Sequence, residues 1–399
     1  VEANRRPGSF VSSNTSGIPI RTLAEGRSQE FRQHFLGTHF FNPPRYMRLL
    51  ELIPGPETLP EVMQAMAEFG ERALGKGIVF AKDTPNFIAN RIGTFGLFTV
   101  IRIMIEGDYS VEEVDRLTGP AIGRPKTATL RTADLVGLDT VAHIASNIAQ
   151  GLSDDAERSA YAVPPFLQEL VKRGWLGEKT GQGFYKRVRG SEGSEILALD
   201  YKVMEYRPQR KVSIPSLDAT QGIEDAAERL RALAYADDRA GRFVWQALRD
   251  TLLYAAHRVP EIADDIVSVD RAMKWGFGWE LGPFEIWDAL GVERTSKRME
   301  QEGRTLPTLV TKLLGSGDTG FYRREAGRLY GFDLATSKKV EIQERPEIIL
   351  LPALRERERV VARNAGASLI DLGDGVACLE FHSKSNAIGP DIVQMTRTS

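Results

Sequence analysis

The stretch GTHFFNPP, Gly37 to Pro44, predicts a sheet that carries a chemical function. His39 lies near the end of a strand-like run, Phe35–Phe40, and Glu51 lies in a second apolar run, Arg48–Ile53. We expect the two runs to pair as strands, so that the histidine faces the glutamate. Histidine accepts a proton near neutral pH, and a neighbouring carboxylate fixes its tautomer, so the pair could form a general base and its orienter. From spacing alone, a structural histidine beside a salt-bridged glutamate remains the favoured interpretation.

The residues on either side of these two runs predict the second half of an open α/β sheet. A short strand over Gly8–Ser13 ends in the polar turn SNTS, and a helix over Leu59–Leu74 leads to a strand over Lys76–Lys82. Ligands of such sheets bind beyond the carboxyl ends of the strands, so Ser16 is a candidate ligand contact. An ordinary turn, with side chains bonded to their own backbone, is the alternative.

Beyond Pro85 the sequence is typical of long helices. Phe87–Glu106 is apolar nearly all round, which predicts a helix buried between neighbours. Asn90, in its first turns, either caps a loop or contacts a ligand, and the structural role is favoured. Ser110 and Glu113 have the spacing of a capping box at the start of the next helix.

An internal repeat predicts a duplicated helical domain. SVEEVDRLTGPAIGRP at 110–125 and GQGFYKR at 181–187 are answered, about 135 residues later, by the related segments at 267–293 and 319–325. The predicted organisation is a sheet domain (1–84), a first helical copy (85–190), an extended connector (191–238), a second copy (239–335), a charged helical linker (336–365) and a final segment (366–399) that turns as a hairpin at 373–375.

One dinucleotide-type pattern is rejected. Gly315–Gly320 reads GSGDTG, and Glu341 lies where a ribose-binding acid would be expected. A dinucleotide loop follows a strand and opens a helix, whereas this one follows the helical run TLVTKLL. We interpret it as a turn.

Composition and charge argue against several classes of partner. The 399 residues are 42% hydrophobic and 27% charged, and 52 basic residues are scattered among 54 acidic ones. Nucleic acid and anionic membranes are therefore not expected partners. The single cysteine, Cys378, excludes an internal disulfide framework and a thiolate-rich metal site. Without a long apolar run or a signal-peptide pattern, the sequence predicts a cytoplasmic protein.

Taken in order, several motifs form a recognisable set. SNTS, HFFNPP, the glutamate of LLELI, KDTPNFIANR, VGLDT and GQGFYK resemble the L-3-hydroxyacyl-CoA dehydrogenase family of fatty-acid β-oxidation over about residues 10–185. The resemblance implies an α/β plus all-α fold, in which a Rossmann-type sheet is followed by the family's helical C-terminal domain. Its duplication resembles the multifunctional members. The implied activity is NAD-dependent oxidation of L-3-hydroxyacyl-CoA to 3-oxoacyl-CoA.

The resemblance also implies roles for individual residues. His39 would be the base that takes the proton of the 3-hydroxyl group, and Glu51 would orient it. Ser16 would contact both substrate and nicotinamide, and Asn90 would lie near the acyl group. Two residues would contact the cofactor, namely Asn42 and, in EKTGQGFY, Lys179.

Three departures from the family pattern set further expectations. The glycine-rich loop and ribose-binding acid of the first sheet half are absent upstream of Val1, so we expect residues 1–84 to form only the C-terminal half of the Rossmann-type sheet and the chain to be poorly active. The tail resembles the opening hairpin of a crotonase-type enoyl-CoA hydratase, cut short before the catalytic glutamates. Trp275 stands where multifunctional relatives can have a substrate-contacting tyrosine, and its role is open.

Two alternatives to this enzyme remain open. The duplicated helices could form a non-catalytic dimerisation or scaffold module, or the chain could be another hydroxyacid dehydrogenase of similar plan. The expected partners are an acyl-CoA substrate and either a second copy of the chain or a thiolase.

Overall fold

A four-stranded sheet carries the histidine-bearing stretch in the computed structural model, which describes residues 1–190, 193–343, 349 and 351–398. Its strands, in spatial order, are β1 (Val11–Ser13), β2 (Phe35–Phe40), β3 (Leu49–Pro54) and β4 (Gly77–Phe80). β1 and β2 are parallel, β2 and β3 antiparallel, and β3 and β4 parallel. His39 lies directly opposite Glu51, which confirms the predicted pairing.

The two faces of this sheet have different environments, because alternate side chains of a strand point to opposite sides. Leu36, Leu50 and Leu52 pack against Val62 of a helix that covers one face. His39 and Glu51 have the opposite parity and lie on the other face. The helices of this region are α1 (Ile20–Ala24), α2 (Gln29–Gln33) and α3 (Pro60–Arg72), the last close to the predicted bounds.

The first helical copy begins with the buried helix that the sequence predicts. Its helices are α4 (Ala89–Glu106), α5 (Val111–Thr118), α6 (Leu130–Val136), α7 (Leu138–Gly151), α8 (Asp155–Ser159) and α9 (Pro165–Lys172). Ser110 and Glu113 form the predicted capping box at the start of α5, with both reciprocal hydrogen bonds present.

The region predicted as an extended connector, 191–238, differs in the structure. It contains β6 (Gly193–Asp200) and β7 (Glu205–Pro208), which join β5 (Tyr185–Gly190) in an antiparallel sheet, and then α10 (Pro215–Ala219) and α11 (Ala226–Ala234). The predicted boundary at 190 cuts between two paired strands. The apolar residues of ILALD explain the difference, because Ala198 and Leu199 are buried rather than exposed as a linker would be.

The second helical copy repeats a specific feature of the first. Its helices are α12 (Arg239–Arg258), α13 (Ile266–Phe277), α14 (Pro283–Leu290), α15 (Val292–Gln301) and α16 (Thr308–Gly315). The Asp115 carboxylate accepts hydrogen bonds from two backbone N–H groups at the start of α6, and the Asp270 carboxylate does the same at the start of α14. Both aspartates belong to a VDR motif, so the structure supports the duplication.

Contacts divide the chain into two compact units, Val1–Thr319 and Gly320–Ser399, and the predicted boundaries at 335 and 365 do not follow this division. The second unit contains β8 (Tyr322–Glu325), β9 (Arg328–Asp333), β10 (Lys338–Glu341), α17 (Leu351–Glu356), β11 (Val360–Arg363), β12 (Ala367–Gly373), β13 (Val376–Phe381) and α18 (Pro390–Thr398). Strands β10 and β11 fall within the predicted helical linker, of which 344–348 and 350 lie outside the described residues. The hairpin turns at 373–375 as predicted.

The GSGDTG segment is a turn between a helix and a strand. It follows α16 and leads into β8, which is the reverse of the strand–turn–helix order of a dinucleotide loop. This order agrees with its interpretation as a turn. Among the described helices, none is both long and apolar enough to cross a membrane.

Candidate active site

His39 and Glu51 form a buried hydrogen-bonded pair. Nδ1 of His39 lies 2.7 Å from Oε2 of Glu51, and the two residues are 3% and 0% exposed. A carboxylate can only accept, so Nδ1 carries the proton and donates it. The other ring nitrogen, Nε2, is then free to act as an acceptor.

The start of helix α4 compensates the burial of Glu51. Its second oxygen, Oε1, accepts hydrogen bonds from the backbone N–H groups of Ile88 at 3.3 Å and Ala89 at 2.9 Å. The N-terminus of a helix carries a partial positive charge, and buried carboxylates need such partners. Spacing in the sequence gave no sign of these two donors, because they lie on a different element from the pair.

Ser16 extends the pair into a line of three residues. Its Oγ lies 2.9 Å from Nε2 of His39. Ser16 is exposed and follows β1 at the edge where the parallel strands β1 and β2 end, so the accepting nitrogen of His39 faces the side of the sheet where ligands of such folds bind.

The other residues of the SNTS turn have structural roles. Oδ1 of Asn14 accepts a hydrogen bond from the backbone N–H of Phe40, which ties this turn to the end of β2. Oγ1 of Thr15 accepts one from Ile18 at 2.9 Å. Asn14 and Thr15 therefore hold the loop, while Ser16 lies at the histidine, and its contact with a ligand stays a prediction.

The remaining candidate residues are placed differently. Asn90 is half-buried in the first turn of α4, directly after Ala89, and Asn42 is exposed just beyond β2. Lys179 forms an ion pair with Asp139 in the first turn of α7. No hydrogen bond or ion pair among the described residues joins Lys179 to His39, and its contact with a cofactor stays a prediction.

Two aromatic rings flank His39, and sequence reasoning missed their role. The ring of Phe41 lies 4.6 Å from the imidazole, centroid to centroid, and that of Phe87 lies 5.4 Å away, both in edge arrangements. Asn86 and Phe87 both have positive φ angles, 58° and 57°, immediately before α4. Non-glycine residues in this region are strained, and such strain is often found at functional sites. The polar run KDTPN before a buried helix is the signal that could have indicated this turn.

The residues present fit one end of a nicotinamide dinucleotide. The hydroxyl of Ser16 and the amide of Asn42 are exposed beyond neighbouring strand ends, where a nicotinamide ring could contact them. The first N–H groups of α1, at Ile20 and Arg21, are already bonded to the Asp83 carboxylate, and that of Phe31 in α2 to Ser28. The start of α1 is thus not available to a pyrophosphate.

Two family models match successive parts of the chain. Residues 1–84 match the model described as "3-hydroxyacyl-CoA dehydrogenase, NAD binding domain", and residues 87–187 match "3-hydroxyacyl-CoA dehydrogenase, C-terminal domain". The first match does not support the expectation that half of this domain is missing. Neither model extends into the tail, so the hydratase resemblance gains no support from them.

Individual relatives extend the similarity. A probable 3-hydroxyacyl-CoA dehydrogenase of Bacillus subtilis is 51% identical over 395 residues, which are 99% of this chain and 49% of that protein. A probable 3-hydroxyacyl-CoA dehydrogenase of Deinococcus radiodurans is 41% identical over 54% of this chain and 61% of its own length. The chain thus spans about half the length of the first of these relatives.

One solved structure is informative about the fold. The 3-hydroxybutyryl-CoA dehydrogenase of Escherichia coli K12 aligns with a TM-score of 0.57 at 21% identity, covering 78% of this chain and 77% of that one. At this identity the comparison supports the sheet-plus-helices fold and nothing finer.

Proposed function

We propose that the chain oxidises the 3-hydroxyl group of an L-3-hydroxyacyl-CoA to a 3-oxo group in fatty-acid β-oxidation, with NAD as cofactor, because residues 1–84 and 87–187 match the two 3-hydroxyacyl-CoA dehydrogenase family models. The observation that carries this proposal is the line of hydrogen bonds from Ser16 through His39 to Glu51. These hydrogen bonds hold Nε2 of His39, as an acceptor, at the edge of the sheet where ligands of such folds bind.

The geometry supports a role for His39 in proton transfer. The 3-hydroxyl proton of the substrate moves to Nε2, which Ser16 faces in the structure, while Nδ1–H remains bonded to Glu51. The Glu51 carboxylate stabilises the imidazolium that forms, and the N-terminus of α4 keeps that carboxylate in place. When bound, NAD would supply the acceptor for the hydride that leaves C3. The proton and the hydride together account for the two hydrogens removed.

The contacts with substrate and cofactor are proposed with unequal support. Ser16 is bonded to the base itself, so it can contact both the reacting hydroxyl and the nicotinamide. Asn90 directly follows Ala89, whose backbone N–H donates to Glu51. It therefore lies next to the His39–Glu51 pair, which favours a contact with the acyl group. For Lys179 to reach the cofactor it must first leave Asp139. Asn42 needs no such rearrangement.

The test is the formation of NADH from L-3-hydroxyacyl-CoA, followed by absorbance. We expect slow turnover, because the N–H groups at the start of α1 are bonded to Asp83 and do not bind phosphate. His39→Gln should lower the rate by about 10²-fold or more, as expected for a general base. His34→Gln, at a histidine bonded to the carbonyl of Glu30 instead, is the matched control.

Each alternative predicts a different result. If the helices form only a scaffold, His39→Gln and the unmodified chain will show the same rate. If the enzyme is another hydroxyacid dehydrogenase, simple 3-hydroxy acids will be oxidised as readily as the CoA thioester. Equal rates with the D and L thioesters would contradict the assigned stereochemistry.

We also infer that the tail opens a hydratase-type domain. Ile392 and Met395 of α18 pack against Ala367 and Leu369 of β12, so the hairpin has a small apolar core. We expect no hydration of crotonyl-CoA by the chain, and measurable hydration would contradict this. A homodimer or a thiolase partner is likewise a proposal, and sedimentation with and without thiolase would test it.

A further inference from the structure

The end of helix α13, in the second helical copy, packs closely on the face of the sheet that carries His39 and Glu51. A Cβ atom built on Gly77, at the start of β4, would lie 2.4 Å from the ring of Trp275. One built on Gly93, in α4, would lie 2.2 Å from Cζ of Phe277. Contacts this close leave no room for a side chain, so the two rings lie directly on the backbone of β4 and α4.

This packing explains Trp275, whose role was open. The Arg48 guanidinium lies over its ring at 4.4 Å, and the ring contacts the backbone at Gly77. Outside its own helix, Trp275 thus contacts the start of β4 and the residue that precedes β3. These contacts fix α13 against β3 and β4, and this leaves its last residue, Phe277, over the site face.

Phe277 is connected to His39 through one intervening ring. The centroids of Phe277 and Phe41 are 6.3 Å apart at an interplanar angle of 61°, and those of Phe41 and His39 are 4.6 Å apart at 64°. Such edge arrangements are favoured by the ring quadrupoles and depend on orientation. A change in the position of Phe277 therefore alters the packing of the ring that contacts the imidazole.

We propose that Phe277 is a positioning residue, which acts through Phe41 to hold the His39 imidazole in line with Ser16 and Glu51. Two hydrogen bonds fix the ring nitrogens of His39, and the edges of Phe41 and Phe87 limit its tilt. Without the Phe277 ring, Phe41 gains space to rotate. The kinetic test of this proposal rests on the proposed function, whereas the positioning of the imidazole does not.

Phe277→Ala tests the proposal by kinetics. Because a displacement of about 1 Å at a reacting group can cost about 10²-fold, we expect kcat to fall by about 10-fold to 100-fold. The KM for the acyl-CoA should change by less than about 3-fold, because uniform binding is unaffected. Gly93→Ala should lower kcat in the same direction, since the new methyl group displaces the Phe277 ring.

Two further variants separate positioning from folding. Phe277→Leu fills most of the space and replaces the alanine variant in the kinetic test if that variant does not fold. Its kcat should stay below that of the unmodified chain because the ring edge is missing. Phe243→Leu is the matched control, since Phe243 is a buried aromatic of the second copy that contacts Tyr109 and not the His39 cluster. It should keep kcat.

A second readout does not depend on turnover. The chain has five histidines, so the Nδ1–H proton of His39, bonded to Glu51, can be followed by NMR after ¹⁵N-histidine labelling and assigned with His39→Gln. We expect this signal to broaden or shift in Phe277→Ala and Phe277→Leu and to persist in Phe243→Leu. An unchanged signal and unchanged kcat in folded Phe277 variants would overturn the proposal. If the unmodified chain makes no NADH, the proposed function fails, while the NMR result still decides the positioning.

Discussion

Glu51 has two separate groups of partners, one for each oxygen. Oε2 accepts from His39 and Oε1 accepts from Ala89, so a substitution that keeps size but removes charge tests one role at a time. In Glu51→Gln the amide oxygen can still accept from Ala89, but the amide nitrogen then faces Nδ1. The imidazole must become an acceptor there and carry its proton on Nε2.

We therefore expect Glu51→Gln to lower kcat by about 10²-fold or more, because the wrong nitrogen is protonated and no carboxylate stabilises the imidazolium. Steady-state rates with hydroxyacyl-CoA and NAD measure the change. Glu57→Gln, at an exposed acid paired with Arg32, is the control and should leave the rate intact. A Glu51→Gln enzyme with full activity would exclude the orienting role.

Asp134 is a buried acid outside the site and gives a pH-dependent prediction for stability. Its carboxylate accepts from the backbone N–H groups of Phe184 and Tyr185, and burial raises its pKa to about 7. A carboxyl whose folded pKa exceeds its unfolded value binds its proton more tightly in the folded state. Its stabilising contribution is thus full below pH ~4 and is lost as pH rises through about 7.

Replacement of Asp134 by asparagine should remove this pH dependence. Between pH 4 and 8 the free energy of unfolding of the unmodified chain should fall relative to Asp134→Asn, by up to about 4 kcal/mol. Urea unfolding at several pH values measures the difference. Parallel pH profiles for the two proteins would show that Asp134 has an ordinary pKa.

At the scale of elements, helix α4 is anchored by a buried arginine. Arg91 is fully buried; it donates to the Tyr254 hydroxyl at 2.6 Å and forms ion pairs with Glu157 at 2.7 Å and Glu261 at 3.2 Å. These partners come from both helical copies, so the network ties the helix that holds Glu51 to the rest of the first unit.

We expect Arg91→Met to lower the free energy of unfolding by roughly 3 kcal/mol, the lower end for a broken buried ion pair, because the buried Tyr254 hydroxyl loses its charged partner and Glu157 is left with Arg258 as its cation. Chemical denaturation of the two proteins gives the value. Arg102→Met is the control, since Arg102 lies on the same helix in a more exposed ion pair and should cost about 1 kcal/mol or less. A similar small loss for Arg91→Met would show that its network adds little.

The sequence predicted those elements whose pattern is local. Helix α4 is apolar all round, and α5 has its capping box within four residues, so both were found. The pairing of His39 with Glu51 followed from two adjacent apolar runs. Strand β6 was predicted to be part of a connector. Its pairing with β5 depends on a reversal of the chain between the two strands, which the local pattern does not indicate.

The contacts that complete the candidate site are not local. Phe277 reaches Phe41 from a helix in the second copy, and two backbone N–H groups reach Glu51 from the start of α4. Periodicity and spacing do not encode such pairings, since they depend on how whole elements pack. Ser16 and His39, by contrast, were proposed from local motifs, one just beyond β1 and one within β2, and the structure joins the two side chains by a hydrogen bond.

At the scale of the whole molecule, every residue of the candidate site lies in the unit Val1–Thr319, and the hairpin of the tail lies in the unit Gly320–Ser399. A ligand that binds only the folded form stabilises the region that contacts it, by about 2.7 kcal/mol at 100 times its Kd. The two units should therefore respond differently to the ligands of the proposed reaction.

Hydrogen exchange in the presence of NADH and acetoacetyl-CoA tests this. We expect slower exchange around β1, β2 and the first turns of α4, because a ligand at the strand ends lowers local opening there, and no change in β12 or β13. ATP at the same concentration is the control for nonspecific nucleotide binding. Slower exchange confined to the hairpin would place the acyl-CoA site in the second unit and contradict the assignment to Ser16 and His39. Slower exchange in both units would indicate a second thioester site in the tail, as a hydratase-type domain requires.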